Sequence, residues 1–95
     1  MRSEAQIGIA LQQLREIANV TQEDFGIVSS RTYVSTVERG LKSPTLGKIE
    51  QLASVLRVHP LALLTVAYMD HLTPKEIERT TTELRTQLLD LLDKN

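Results

Sequence analysis

The sequence predicts an all-α fold, and three observations carry that prediction. Apolar residues recur at i, i+3, i+4 and i+7 in segment after segment, the spacing of one helical face. No stretch alternates at the period of a strand, and no internal repeat is visible. Aromatic residues make up only 3% of 95 residues, so the core must be Leu, Ile, Val and Ala packed between helices. A chain of this length supports one domain with a single core, and leaves little room for a cavity shaped around a substrate.

The first helix is expected over residues 4–19, beginning at Glu4, with Ile7, Ala10, Leu11, Leu14, Ile17 and Ala18 on one face. Asn19 and Val20 read as its stop. Thr21 opens TQED, a hydroxyl cap followed by two acids that complement the positive helix end. The short helix it starts turns Phe25 and Val28 inward and must end near Ser29 and Ser30, one of which can cap the next helix. That third helix, residues 31–39, has Val34 and Val37 as its inward positions and Gly40 as its stop.

LKSP is a loop, after which Thr45 caps a fourth helix carrying Ile49, Leu52, Ala53 and Leu56 on one face. Val58, His59 and Pro60 make a tight connection, with the proline suited to a first helical turn. The fifth helix, starting at Leu61, is apolar nearly all round (LALLTVAYM), which places it centrally or at an interface. Thr73, Pro74 and Glu76 start a last amphipathic helix that runs to about Asp93 and carries Ile77, Leu84, Leu88, Leu91 and Leu92. The expected organisation is a domain over residues 1–70 and a C-terminal helix over residues 71–95.

Composition narrows the function. There is no cysteine, hence no disulfide framework, thiolate metal site or cysteine nucleophile. No apolar run approaches the roughly 20 residues of a membrane span, and the N-terminus carries no signal-peptide core, so a reducing cytoplasm is the expected location. His59 and His71 read as loop histidines without the further ligands a metal needs. Glu76, Glu78, Glu83, Asp90 and Asp93 read as the solvated face of the last helix, since no glycine-rich loop or nucleophile motif accompanies them. Neither an enzyme, a cofactor nor a small-molecule ligand is suggested.

The net charge of −1 hides an asymmetry. Between residues 29 and 48, Arg31, Arg39, Lys42 and Lys48 stand against the single acid Glu38. This basic window contains SSRTYVSTVERG, a helix with only Val34 and Val37 to bury. Taken alone, such a stretch is an ordinary solvated helix. Placed after a short helix and a tight turn, it makes the second half of a helix-turn-helix. Arg31, Thr32, Ser35 and Thr36 then face outward. Arginine suits a bidentate contact with guanine, and threonine offers a hydroxyl and a methyl group for thymine.

TQED, SSRTYVSTVERG, SPTL and IEQLASVL, in this order and spacing, resemble the Cro/repressor-type (XRE-like) helix-turn-helix family of bacterial and phage transcription regulators, over about residues 5–68. The run ERG-x-x-x-P-x-L is the most telling piece. The resemblance implies a compact five-helix, lambda-repressor-like DNA-binding domain, here with an additional C-terminal amphipathic helix, and a sequence-specific regulator that binds double-stranded DNA. It puts Arg31, Thr32 and Thr36 at base-reading positions and leaves Ser35 between a base edge and the phosphate backbone. Gln22, Tyr33, Lys42 and Ser43 become phosphate contacts, and Arg39 is either another or a solvent-facing helix end. Lys48 reads as a solvated residue on the following helix. By the same resemblance Glu38 pairs with Arg15 on the first helix. The chain departs from the family between Gln22 and Arg31, which is about two residues shorter and lacks the customary turn glycine. Gly26 stands where alanine is usual. A shortened second helix or an altered turn is expected.

The leucines of the last helix need a partner. One reading folds the helix back on its own domain. The favoured reading is a homodimer interface of Leu84, Leu88, Leu91 and Leu92, shared with Leu63 and Val66 of the fifth helix. Two-fold dimers on palindromic half-sites bind more tightly and selectively than single domains. The expected function is thus a repressor or controller acting as a homodimer on a palindromic operator. The alternative is a helical adaptor or antitoxin-like module that binds a protein rather than DNA, favoured by the short turn and the near-neutral charge.

Overall fold

A helix begins where a side chain can satisfy its first free N–H groups, and this chain supplies such a cap at most of its starts. In a computed structural model, which describes residues 5–94, the helices are α1 (Ile7–Ile17), a 3₁₀ helix (Gln22–Ile27), α2 (Arg31–Glu38), α3 (Leu46–Leu56), α4 (Pro60–Tyr68) and α5 (Pro74–Asp93). No strand occurs among the described residues. The predicted start at Glu4 lies outside them. Thr21 and Asp24 form a reciprocal capping box, Thr21 N donating to Asp24 Oδ2 at 2.8 Å and Asp24 N to Thr21 Oγ1 at 3.2 Å. The hydroxyls of Ser30, Thr45 and Thr73 accept from the backbone N–H three residues on, at 3.0, 3.2 and 3.2 Å. His59 caps α4 through Nδ1, which accepts from Leu61 N at 3.0 Å.

Three helix ends share one closure. After α1, Val20 N donates to Arg15 O and Asn19 N to Glu16 O, with Asn19 left-handed at φ 58°. After α2 the same pair of bonds turns the chain through Gly40 at φ 76°. After α3 it turns through Arg57 at φ 59°. Each satisfies carbonyls the helix leaves open, but only glycine and asparagine adopt that conformation readily.

The core is aliphatic around one aromatic ring. Leu11, Phe25, Val34, Val37, Leu52 and Leu63 are fully buried, with Ala10, Ala53, Ala67 and Met69 filling between them. α1 packs on α2 and α4, and α3 packs on α4 and the 3₁₀ helix. α3 and α4 meet at 103°. The tightest approach is at Gly8, where a methyl group would collide with the carbonyl oxygens of Val37 and Glu38. Glycine there lets α1 lie directly on the end of α2.

Several expectations are corrected by this arrangement. Leu63 and Val66 belong to the domain's own core, because α4 is the helix that α1 and α3 both cover; they are not interface residues. Ile17, expected on the buried face of the first helix, is 71% exposed, since α1 has passed the edge of the core by its last turn. The second helix, expected to be shortened or to have an altered turn, is a six-residue 3₁₀ helix, the tighter winding.

α5 stands apart. Thr80 in its second turn is buried, and the Glu76 carboxylate accepts from Arg79 Nη2 of the same helix at 2.9 Å. From residue 81 onward every described position is exposed, and the molecule extends 45 Å along its longest axis against 27 and 24 Å across. The helix does not fold back: Leu88 is 63% exposed and Leu92 69%. No single helix among the described residues is long and apolar enough to cross a membrane.

Candidate nucleic-acid interface

α2 separates its side chains into three strips. Val34 and Val37 point into the core. On the opposite side Arg31, Thr32, Ser35, Thr36 and Arg39 fall on one stripe by helical spacing, with Arg31, Thr32 and Arg39 exposed and Ser35 and Thr36 half-buried. Glu38 and Tyr33 lie along the two edges between them, and each edge is fastened.

The Glu38 edge is fastened to α1. Arg15 Nε donates to Glu38 Oε2 at 2.7 Å and Nη2 to Oε1 at 3.1 Å, a two-pronged charged pair with side chains only 15% and 6% exposed. Arg15 Nη1 also donates to Val20 O at 3.2 Å, and Gln22 Nε2 to Glu38 Oε1 at 3.0 Å. The bond to Glu38 holds the Arg15 guanidinium above its ordinary pKa, outweighing the opposite effect of burial. A raised pKa stabilises the fold throughout the range below the ordinary arginine value, and the benefit fades only as pH climbs through the folded one. Removing either charge would strand the other and cost about 3–5 kcal/mol. The acid that would repel phosphates is thereby neutralised.

The Tyr33 edge is fastened differently. The ring packs against the core, and two ammonium groups lie over it, Lys48 Nζ at 5.1 Å and Lys42 Nζ at 5.5 Å from its centre. Lys48 also donates to Val28 O at 3.1 Å. It is half-buried, a correction to its reading as a solvated residue. Nothing in the local pattern marks it, since its partners are 20 and 15 residues away.

The proposed readers are engaged in part. Arg31 Nη1 donates to Glu23 Oε1 at 3.1 Å, an open pair with side chains 68% and 73% exposed, which water and salt weaken. Thr36 Oγ1 donates to Thr32 O at 2.7 Å, and Arg39 Nε to Ser35 O at 3.4 Å. Gln22, expected at a phosphate, spends an amide hydrogen on Glu38 and stands beside the stripe. Arg39, Lys42 and Ser43 border an open groove of about 630 Å³, closed on its far side by Gln6, Ile7 and Gly8 at the start of α1. Gln6 makes no side-chain cap there. Among the described residues no cluster of three or more His, Cys, Asp or Glu could hold a metal ion.

Residues 6–65 match the family described as helix-turn-helix domain. Among solved structures, the restriction-modification controller protein C.AhdI from Aeromonas hydrophila is 33% identical with a TM-score of 0.57, over 62% of this chain and 92% of its own. PrgX, solved in complex with iCF10, is 23% identical with a TM-score of 0.64, over 97% of this chain and 32% of its own. A bacterial peptide pheromone/receptor complex gives 23% identity and a TM-score of 0.64, over 97% of this chain and 33% of that one. The chain spans about a third of these last two, and at such identity the likeness concerns the fold alone. No curated protein matches the sequence.

Proposed function

Because this chain belongs to the helix-turn-helix domain family and is a DNA-binding transcriptional regulator, we propose that it acts in the cytoplasm as a homodimeric repressor or controller on a palindromic operator. The observation that carries the reading is α2, fastened along both edges and left open along the stripe between them. In this reading Arg31, Thr32 and Thr36 meet base edges, with Ser35 beside them. Tyr33, Arg39, Lys42 and Ser43 meet the phosphate backbone, and Gln22 supports it through Glu38. Base contacts choose the sequence, whereas phosphate contacts set the register and most of the salt dependence. The second copy joins through α5. A dimer places two α2 helices in successive major grooves, one helical turn apart, where they exclude or recruit polymerase.

Two measurements on the full chain test this. Duplex affinity should fall steeply with salt, and its absence even at low salt would favour a protein-binding adaptor instead. Arg31→Ala should cost about 1–3 kcal/mol and relax preference at one base position. Uniform weakening across all sequences would make Arg31 a phosphate contact.

A further inference from the structure

A lysine on a short helix ordinarily extends into water, because an ammonium group is costly to withdraw from it. Lys48 does not. It is half-buried against its own domain, donates to Val28 O at 3.1 Å and lies 5.1 Å from the centre of the Tyr33 ring. Val28 ends the 3₁₀ helix, whose last carbonyls have no partner inside it. Tyr33 lies in the first turn of α2. One ammonium group on α3 thus joins the two halves of the helix-turn-helix across the turn at residues 28–30.

That turn has few bonds of its own. The N–H groups of Val28 and Ser29 both donate to Phe25 O at 2.9 Å, and Ser30 spends its hydroxyl capping α2. No glycine is present in it. The turn itself thus adds little to the angle between the 3₁₀ helix and α2, and the bond from Lys48 braces it on the Tyr33 side, opposite the Gln22–Glu38 and Arg31–Glu23 links. A charge-assisted bond is the stronger kind, and the cationic cover on Tyr33 adds to it.

We propose that Lys48 is a positioning residue for DNA recognition, fixing the tilt of α2 through Val28 and Tyr33 rather than neutralising a phosphate. This rests on α2 being the helix that reads base edges. Lys48→Met keeps the aliphatic stem and removes the donor and the charge. Selection of bound sites from a random duplex pool should then show discrimination between the best site and its single-base variants reduced by about tenfold. The slope of affinity against salt should stay as in the parent, and Lys48→Arg should restore the parent's preference. A slope lowered by about one with preference unchanged would make Lys48 a phosphate contact and overturn the proposal. So would a uniform loss of affinity that tracks the thermal midpoint, the mark of a purely structural role. Should Lys48→Met fail to fold by circular dichroism, Lys48→Leu, which likewise lacks the donor and the charge, is read by the same criteria. Arg31→Ala separates the two layers. If it and Thr32→Ala both leave base preference unchanged, the reading of α2 fails; if either alters preference and Lys48→Met does not, only the role of Lys48 fails.

Discussion

Gly8 and Arg57 are opposite cases of backbone fit. Gly8 sits in the first turn of α1, where alanine is ordinarily the better helix former. Here the added methyl meets backbone oxygens of Val37 and Glu38, which cannot swing aside as a flexible side chain would. Gly8→Ala should therefore destabilise the domain by about 1–3 kcal/mol, seen as a lower thermal midpoint. A raised midpoint would show that α1 and α2 separate easily. Arg57 is exposed and held at φ 59°, a conformation costing a non-glycine residue about 1–2 kcal/mol. Glycine removes that strain and returns part of the gain by loosening the unfolded chain. Arg57→Gly should raise the urea midpoint by an amount equivalent to about 0.5–1 kcal/mol, whereas a lower midpoint would mean the arginine side chain contributes more than its backbone costs.

At the scale of elements, what the sequence made legible was local. Thr21, Ser30, Thr45 and Thr73 mark starts because capping depends on residues three apart, and Val34 and Val37 mark the docked side of α2 because helical spacing alone decides it. The all-α class followed from such signals. The 3₁₀ winding of the second helix was less accessible: the missing residues announced a change, but whether the helix shortens or tightens depends on how Phe25 must reach the core. Lys48 was misread because its partners, Val28 and Tyr33, are brought to it only by tertiary packing. Leu63 and Val66 were misassigned for a related reason. A helix apolar all round does not say which neighbours cover it, and here α1 and α3 do. The roles proposed for Arg31, Thr32 and Thr36 on DNA rest on chemistry and helical position.

For the whole molecule the dominant feature is the contrast between a packed body and a projecting α5. The projecting part of α5, residues 81–93, is about the length at which an isolated helix is marginal in water, so the proposed second copy would stabilise it by covering Leu84, Leu88 and Leu92. Leu88→Asp should shift sedimentation towards the monomer and weaken binding to a palindromic duplex more than to a single half-site. An unchanged mass would move the dimer contact away from α5. Only the base of this helix, as far as Thr80, has a buried residue, and the remainder is a rod of about 1.5 Å per residue. A rod held at one end is a lever: a tilt of roughly 10° at the base displaces the far end of the exposed part by about 3–4 Å, comparable to the roughly 3.4 Å rise of one base pair. Two bodies joined through their levers can adjust the distance between them. If two copies join through α5 as proposed, the stiffness at the root of that helix bears on which half-site separations the dimer spans, and binding to palindromic duplexes with spacers varied one base pair at a time measures it.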